Sequence, residues 1–163
     1  MCCLFGILDY KSGLSARQKR QILSVLSIAC EARGTDASGI AYRSGNQLCI
    51  YKRPLPAHLL RFRVPAETGY IMGHTRMTTQ GSEQRNCNNH PFSGRAGGVS
   101  FALAHNGVLY NDKELRRSEK LSVTDIETDS YVAVQLIERY DEVDFAALRF
   151  MAEQVRGSFT FTI

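Results

Sequence analysis

Residues 1–10, MCCLFGILDY, set two cysteines directly behind the initiator methionine and run at once into an apolar stretch. A short apolar run bounded by turn residues reads as a buried strand, and a buried cysteine ordinarily behaves as a small hydrophobe. The stretch has a sharper reading as well. If Met1 is removed, Cys2 becomes both the N-terminus and a nucleophile. Which reading holds is decided by the residues that the rest of the chain brings with it.

At 163 residues the chain is sized for one domain that can bury a substantial core. Hydrophobic residues make up 44% and charged residues 22%, the balance of an ordinary soluble globular protein. The net charge of +4 is mild. Lys52-Arg53 and Arg61-Phe62-Arg63 are local basic spots, but no basic stripe with interleaved aromatics exists, which argues against a nucleic-acid partner. No apolar run approaches the ~20 residues that span a bilayer. The N-terminus lacks the charged, apolar and small-residue pattern of a secretory signal. Cys2, Cys3, Cys30, Cys49 and Cys87 are odd in number and irregularly spaced, against a disulfide framework and in keeping with a reducing cytoplasm. His74, His90 and His105 belong to no CxxC or HxxxH element, so the zinc signal is weak and no metal site is expected.

Residues 16–33, ARQKRQILSVLSIACEAR, carry Ile22, Leu23, Leu26, Ala29 and Cys30 at helical spacing, with Arg and Lys assigned to the opposite face. SGIAYR and QLCIYK read as two strands joined through Ser44-Gly45-Asn46, a hairpin signal. The proline-bearing stretch 53–69 is expected to wander over the surface or form a short helix. YIMGHT and FALAH read as strands, separated by a Gly-, Asn-, Ser- and Thr-rich loop over 78–100 whose length points to function or mobility. TDSYVAVQLIERY and DFAALRFMAEQV read as helices. Asp144 is the N-cap of the second, and Phe145, Leu148, Ala152 and Val155 are its core face. GSFTFTI alternates as a half-buried strand and reaches the chain end without a turn or cap. Helices and strands do not alternate as βαβ units would, which favours antiparallel sheets with helices packed on them.

Several polar, glycine-bearing stretches sit at the ends of these strands, where a core does not ask for Arg, Asp, His or Asn. In order they are CCLFGI, RGTDASGIA, GHTRMTTQG, NNHPF, ALAHNGVLYN, ETDSYV and VRGSFTF. On these residues the chain resembles the class II glutamine amidotransferases, a branch of the N-terminal-nucleophile hydrolases. It is similar to the glutaminase domains of glucosamine-6-phosphate synthase and glutamine phosphoribosylpyrophosphate amidotransferase. The stretches cover most of the chain in the family's order, and residues 2–163 are expected to form one such glutaminase domain, with C-terminal strands of the relatives missing.

The resemblance implies Cys2 as nucleophile, exposed once Met1 is removed. A thiol titrates near ~8.5 and an α-amino group near ~7.7–8.0, so the amine of the same residue can act as its base. Asn106 and Gly107 match the oxyanion hole, where loss of one donor commonly costs ~10²–10³ in rate. Taken alone, Asn-Gly reads as a hairpin turn. Arg76 matches the residue that grips the substrate α-carboxylate, with Thr79 and Gln80 beside it. Asp129 matches the carboxylate that holds the α-ammonium. Arg33, Asp36 and His105 are expected to buttress the site, Arg33 and Asp36 pairing with each other or with nearby backbone, and Arg33 approaching the N-terminal residue. Cys3 stands where relatives commonly have glycine, and core packing is its expected role.

The implied fold is α+β, a four-layer αββα arrangement with two antiparallel sheets between helices. The implied reaction forms a γ-glutamyl thioester on Cys2, releases ammonia, and then releases glutamate with water. No metal or organic cofactor is required. The partners expected are L-glutamine and a separate acceptor or synthase protein, with no nucleic acid and no membrane, and a homo-oligomer is left open. Two alternatives stand: an N-terminal-nucleophile amidase acting on another amide, and a catalytically silent module that binds glutamine or a protein partner.

Overall fold

The computed structural model describes residues 2–163; Met1 lies outside the described residues, and with it the expectation of its removal. The opening apolar run forms β1 (Cys3–Leu8), which pairs antiparallel with β4 (Tyr70–Arg76), Cys3 opposite Thr75. The other edge of β4 takes β2 (Ala37–Ser44), and Gly45, at φ +56°, turns the chain into β3 (Gln47–Arg53). The sheet order is β1-β4-β2-β3. A second antiparallel sheet joins β5 (Phe92–Ala96), β6 (Val99–Leu109) and β7 (Gly157–Thr162), with β6 central.

α1 (Ala16–Cys30) packs on β1, and the sheets face each other through contacts of β6 with β1, β3 and β4. On the far side α3 (Tyr131–Tyr140) covers β5, and α4 (Phe145–Gln154) packs on α3. The result is the expected four-layer αββα sandwich. Ile7, Leu23, Ile40, Phe62, Val64 and Ile71 form the core under α1. A larger cluster centred on Phe92, Leu103, Val132, Leu136, Ile137 and Met151 fills the other side. Full burial of each such side chain is worth ~1.5–3 kcal/mol. Among the described residues no helix is long and apolar enough to cross a membrane.

Four expectations need correction. Lys19 is fully buried rather than on a solvent face. Its ammonium donates to the Thr68 carbonyl at 2.6 Å and pairs with Asp9 at 3.1 Å, so the charge is compensated where it is desolvated. On the face of α4, the expected Leu148 and Val155 do pack on the core, joined by Ala147 and Met151, whereas Ala152 is half-buried and Phe145 is 84% exposed. The stretch 78–100 is not one loop: it contains a 3-10 turn at Asn86–Asn88 and all of β5. A further short helix, α2 (Asp112–Ser118), follows β6. Finally, Asn106-Gly107 is no hairpin turn but lies inside β6, opposite Thr160 and Phe159 of β7.

Candidate active site

Cys2 lies at the mouth of the sandwich, one residue ahead of β1. Its thiol donates to the Met77 carbonyl at 3.6 Å, and its own carbonyl accepts a 2.9 Å hydrogen bond from Arg33 Nε. Arg33 ends a 3-10 turn (Glu31–Arg33) that continues α1. The next residue, Gly34, fits against the end of β4, where a Cβ would come within 2.4 Å of the Arg76 carbonyl carbon. Asp36 then donates its N–H to the Arg76 carbonyl at 3.0 Å and accepts from the Thr78 N–H at 2.7 Å. Arg33 and Asp36 thus both reach backbone, and together they clamp the start of the chain to the end of β4.

Arg76 is the last residue of β4 and is 3% exposed. Its guanidinium donates to Asn89 Oδ1 at 2.7 Å and to the Gln80 and Gly81 carbonyls at 2.6 and 2.9 Å. The loop after β4 is therefore wrapped around Arg76. Gln80 takes part through its main chain rather than its side chain, and Thr79 is exposed beside it.

Asn106 and Gly107 lie on β6, the strand that faces β1 and β4 across the sandwich. Gly107 has φ +146°, and a Cβ there would fall 1.9 Å from the Ser158 carbonyl oxygen, so no other residue fits the close approach of β7. Beyond it the Leu109 N–H donates to Asp129 Oδ2 at 2.7 Å, tying the end of β6 to the residues before α3. Asp129 Oδ1 is met only by a long contact, the Ser130 hydroxyl at 3.4 Å. That hydroxyl also lies 2.8 Å from His105 Nδ1, and the His105 carbonyl accepts from His74 Nε2–H at 3.0 Å, a hydrogen bond between the two sheets.

Cys2, Arg76 and Asp129 are close enough to act on one another electrostatically. Burial pushes the Cys2 thiol above its usual value, the Met77 hydrogen bond and Arg76 pull it down, and Asp129 pushes it up. A thiol held up by burial is largely protonated at neutral pH and needs a base before it can attack. Burial holds His105 below the ordinary imidazole value, against the opposing pull of Asp129. The site therefore offers a partly buried thiol flanked by one fixed cation and one fixed carboxylate.

NNHPF (residues 88–92) has no role assigned from its sequence, and the structure supplies one. Asn89 supplies an acceptor to Arg76 and donates to the Glu83 carbonyl at 2.8 Å. Asn88 donates to the Ser82 carbonyl at 3.0 Å and exchanges hydrogen bonds with Glu127 at 2.8 and 2.9 Å. Both asparagines are fully buried. Lys52 on β3 donates to the Pro91 carbonyl at 3.0 Å, and burial brings its pKa down to about 8. No local signal marks these two asparagines in a stretch already rich in polar residues; their burial is met by partners, as buried amides require.

No protein-family profile matches the chain. Over 97% of its length it is 31% identical to the glutamine–fructose-6-phosphate aminotransferase of Halalkalibacterium halodurans, of which it covers 26%. It is 34% identical over 148 residues to the amidophosphoribosyltransferase of Methanocaldococcus jannaschii, covering 85% of this chain and 30% of the relative. Among solved structures, a glutamine phosphoribosylpyrophosphate amidotransferase from B. subtilis superposes over 99% of this chain and 34% of its own, with a TM-score of 0.73 at 23% identity. The chain thus spans about a quarter to a third of the proteins it matches.

Proposed function

The chain belongs to the class II glutamine amidotransferases, and on that premise we propose that residues 2–163 act as a glutaminase that frees ammonia from L-glutamine for an acceptor on a separate synthase protein. The observation that carries this reading is the flanking of the Cys2 thiol by Arg76 and Asp129, two opposite charges suited to the two ends of a free amino acid. Among the described residues Arg76 Nε makes no hydrogen bond and would meet one oxygen of an α-carboxylate, both Nη2 hydrogens being held by the Gln80 and Gly81 carbonyls; Asp129 Oδ1, with only the long Ser130 contact, would meet an α-ammonium. A peptide amide carries neither charge, so the bracket selects free glutamine.

In this reading the α-amino group of Cys2, free once Met1 is removed, takes the thiol proton, and the sulfur attacks the side-chain amide carbon. The oxyanion accepts hydrogen bonds from the Asn106 side-chain amide and the Gly107 N–H. Collapse breaks the C–N bond, the stored proton leaves with ammonia, and a γ-glutamyl thioester remains on Cys2. Water then attacks the thioester, releasing glutamate and restoring the thiol. Arg33, holding the Cys2 carbonyl, and Asp36, holding the backbone after Arg76, keep nucleophile and carboxylate grip in fixed relation.

The test is an assay of the purified chain for glutamate and ammonia from L-glutamine. Equal amounts of both are expected, with none from Cys2→Ala. Undiminished release by Cys2→Ala would overturn the assignment of the nucleophile. Equal turnover of an uncharged amide would instead favour an amidase with a broader substrate.

A further inference from the structure

Cys3 points away from the candidate site, toward α1. There its sulfur lies 2.8 Å from that of Cys30, the last residue of the helix. Both residues are half-buried and both thiols are free. A disulfide bond is ~2.0 Å long, so the two sulfurs need close by only about 0.8 Å. Their backbones are also held in place by one residue. Thr75 is the register partner of Cys3 in the sheet, and its hydroxyl donates to the Cys30 carbonyl at 3.0 Å. The relation between the two cysteines is thus set by the sheet and by the helix end together.

We propose that Cys3 and Cys30 are a reversible oxidation site, forming an intrachain disulfide that ties the start of β1 to the C-terminal end of α1. This goes beyond the glutaminase reading and does not depend on it. The oxidant is a low-molecular-weight disulfide. The Cys3 sulfur, as thiolate, attacks one sulfur of the oxidant and releases one thiol. The Cys30 sulfur then attacks the Cys3 sulfur of the mixed disulfide, its proton leaving with the second thiol. Two protein thiols are oxidised and one small disulfide is reduced to two thiols. Burial, and Cys3 beside it, push the Cys30 thiol up to about 12, which keeps it protonated and disfavours it as the first attacker; its part is the second step, where the attack is intramolecular and the Cys3 sulfur already lies beside it.

The position gives the bond a consequence. Arg33, which holds the Cys2 carbonyl, follows Cys30 by one 3-10 turn. A covalent link closing the 27-residue separation between Cys3 and Cys30 restrains the unfolded chain and secures the corner that Arg33 occupies.

The experiment treats the reduced chain with oxidised glutathione and reads intact mass, a non-reducing tryptic map with fragmentation, and Tm. The expected product has lost two hydrogens and carries no glutathione. Its map joins the peptide ending at Lys11 to Gln21–Arg33 through Cys3 rather than Cys2. Tm rises by about 5 °C and falls back on reduction with dithiothreitol. The Cys30→Ala variant is expected to retain one glutathione on Cys3, because the second step is lost. A glutathione that persists on Cys3 of the unaltered chain overturns the proposal. So does a link through Cys2, Cys49 or Cys87, or a chain in which Cys3 and Cys30 both stay alkylatable.

Discussion

Asn106 and Gly107 have different reasons to be where they are. Gly107 is dictated by space, since any Cβ meets the Ser158 carbonyl. Asn106 is half-buried beside it and is not needed by the core. Asn106→Ala should therefore leave Tm nearly unchanged while kcat for glutamine falls ~10²–10³, the usual cost of one oxyanion donor. A variant with full kcat would remove Asn106 from the mechanism. Gly107→Ala should instead lose folded protein, seen as a lowered Tm or insoluble expression. The pairing of these residues was legible in the sequence, but their setting was not. Asn-Gly is a turn signal when read locally. It becomes a strand position only because β7, some fifty residues later, comes in against β6.

The segment between β4 and β5 shows how polar contacts can give order to a stretch that looks loose. Its length points to function or mobility, yet two fully buried asparagines and the Arg76 guanidinium hold its backbone carbonyls. Hydrogen bonds to charged groups contribute ~1.5–3 kcal/mol each. Asn89→Ala withdraws the acceptor from Arg76 Nη1, and steady-state kinetics should then show KM for glutamine raised about tenfold or more with kcat largely kept. An unchanged KM would mean that Arg76 is positioned without Asn89. The strand β5 escaped sequence reading for a related reason. Only Phe92, Gly94 and Ala96 face inward, and Gly94 is glycine because the Phe101 ring occupies the space a Cβ would need, 2.4 Å away. Such a short strand with a central glycine carries little periodic signal. By contrast α1 and α3 were readable, each long enough to repeat an apolar face.

Across the whole molecule, the facing sheets enclose three histidines, and this sets the pH response. His74, His90 and His105 are each 4% exposed or less, and burial lowers all three below the ordinary value, His74 to about 3. Below about pH 6.5 the unfolded chain binds protons that the folded chain does not. Stability must therefore fall as pH drops from about 6.5 toward 3, by on the order of 1 kcal/mol per histidine per pH unit, and these groups contribute nothing further above neutrality. Urea unfolding at pH 7 and at pH 5 should show a clearly lower midpoint at pH 5, with the gap narrowed in His90→Phe. Equal midpoints would mean that the histidines are hydrated or charged in the fold. Their convergence is not legible in the sequence, because they lie on β4, on the segment before β5 and on β6. Antiparallel sheets with helices packed on them were inferable from strands and helices that failed to alternate as parallel units; the four-layer sandwich followed only from the family resemblance, and the strand order only from the pairing seen here.

We propose that Cys2 is the nucleophile of a glutamine-binding site. The most direct test is the intact mass of the chain, freed of Met1, before and after incubation with 6-diazo-5-oxo-norleucine, an electrophilic glutamine analogue. The account predicts one stoichiometric adduct, prevented by excess L-glutamine and absent from Cys2→Ala. An unmodified chain, or an adduct that forms equally in the presence of glutamine or in Cys2→Ala, would contradict it.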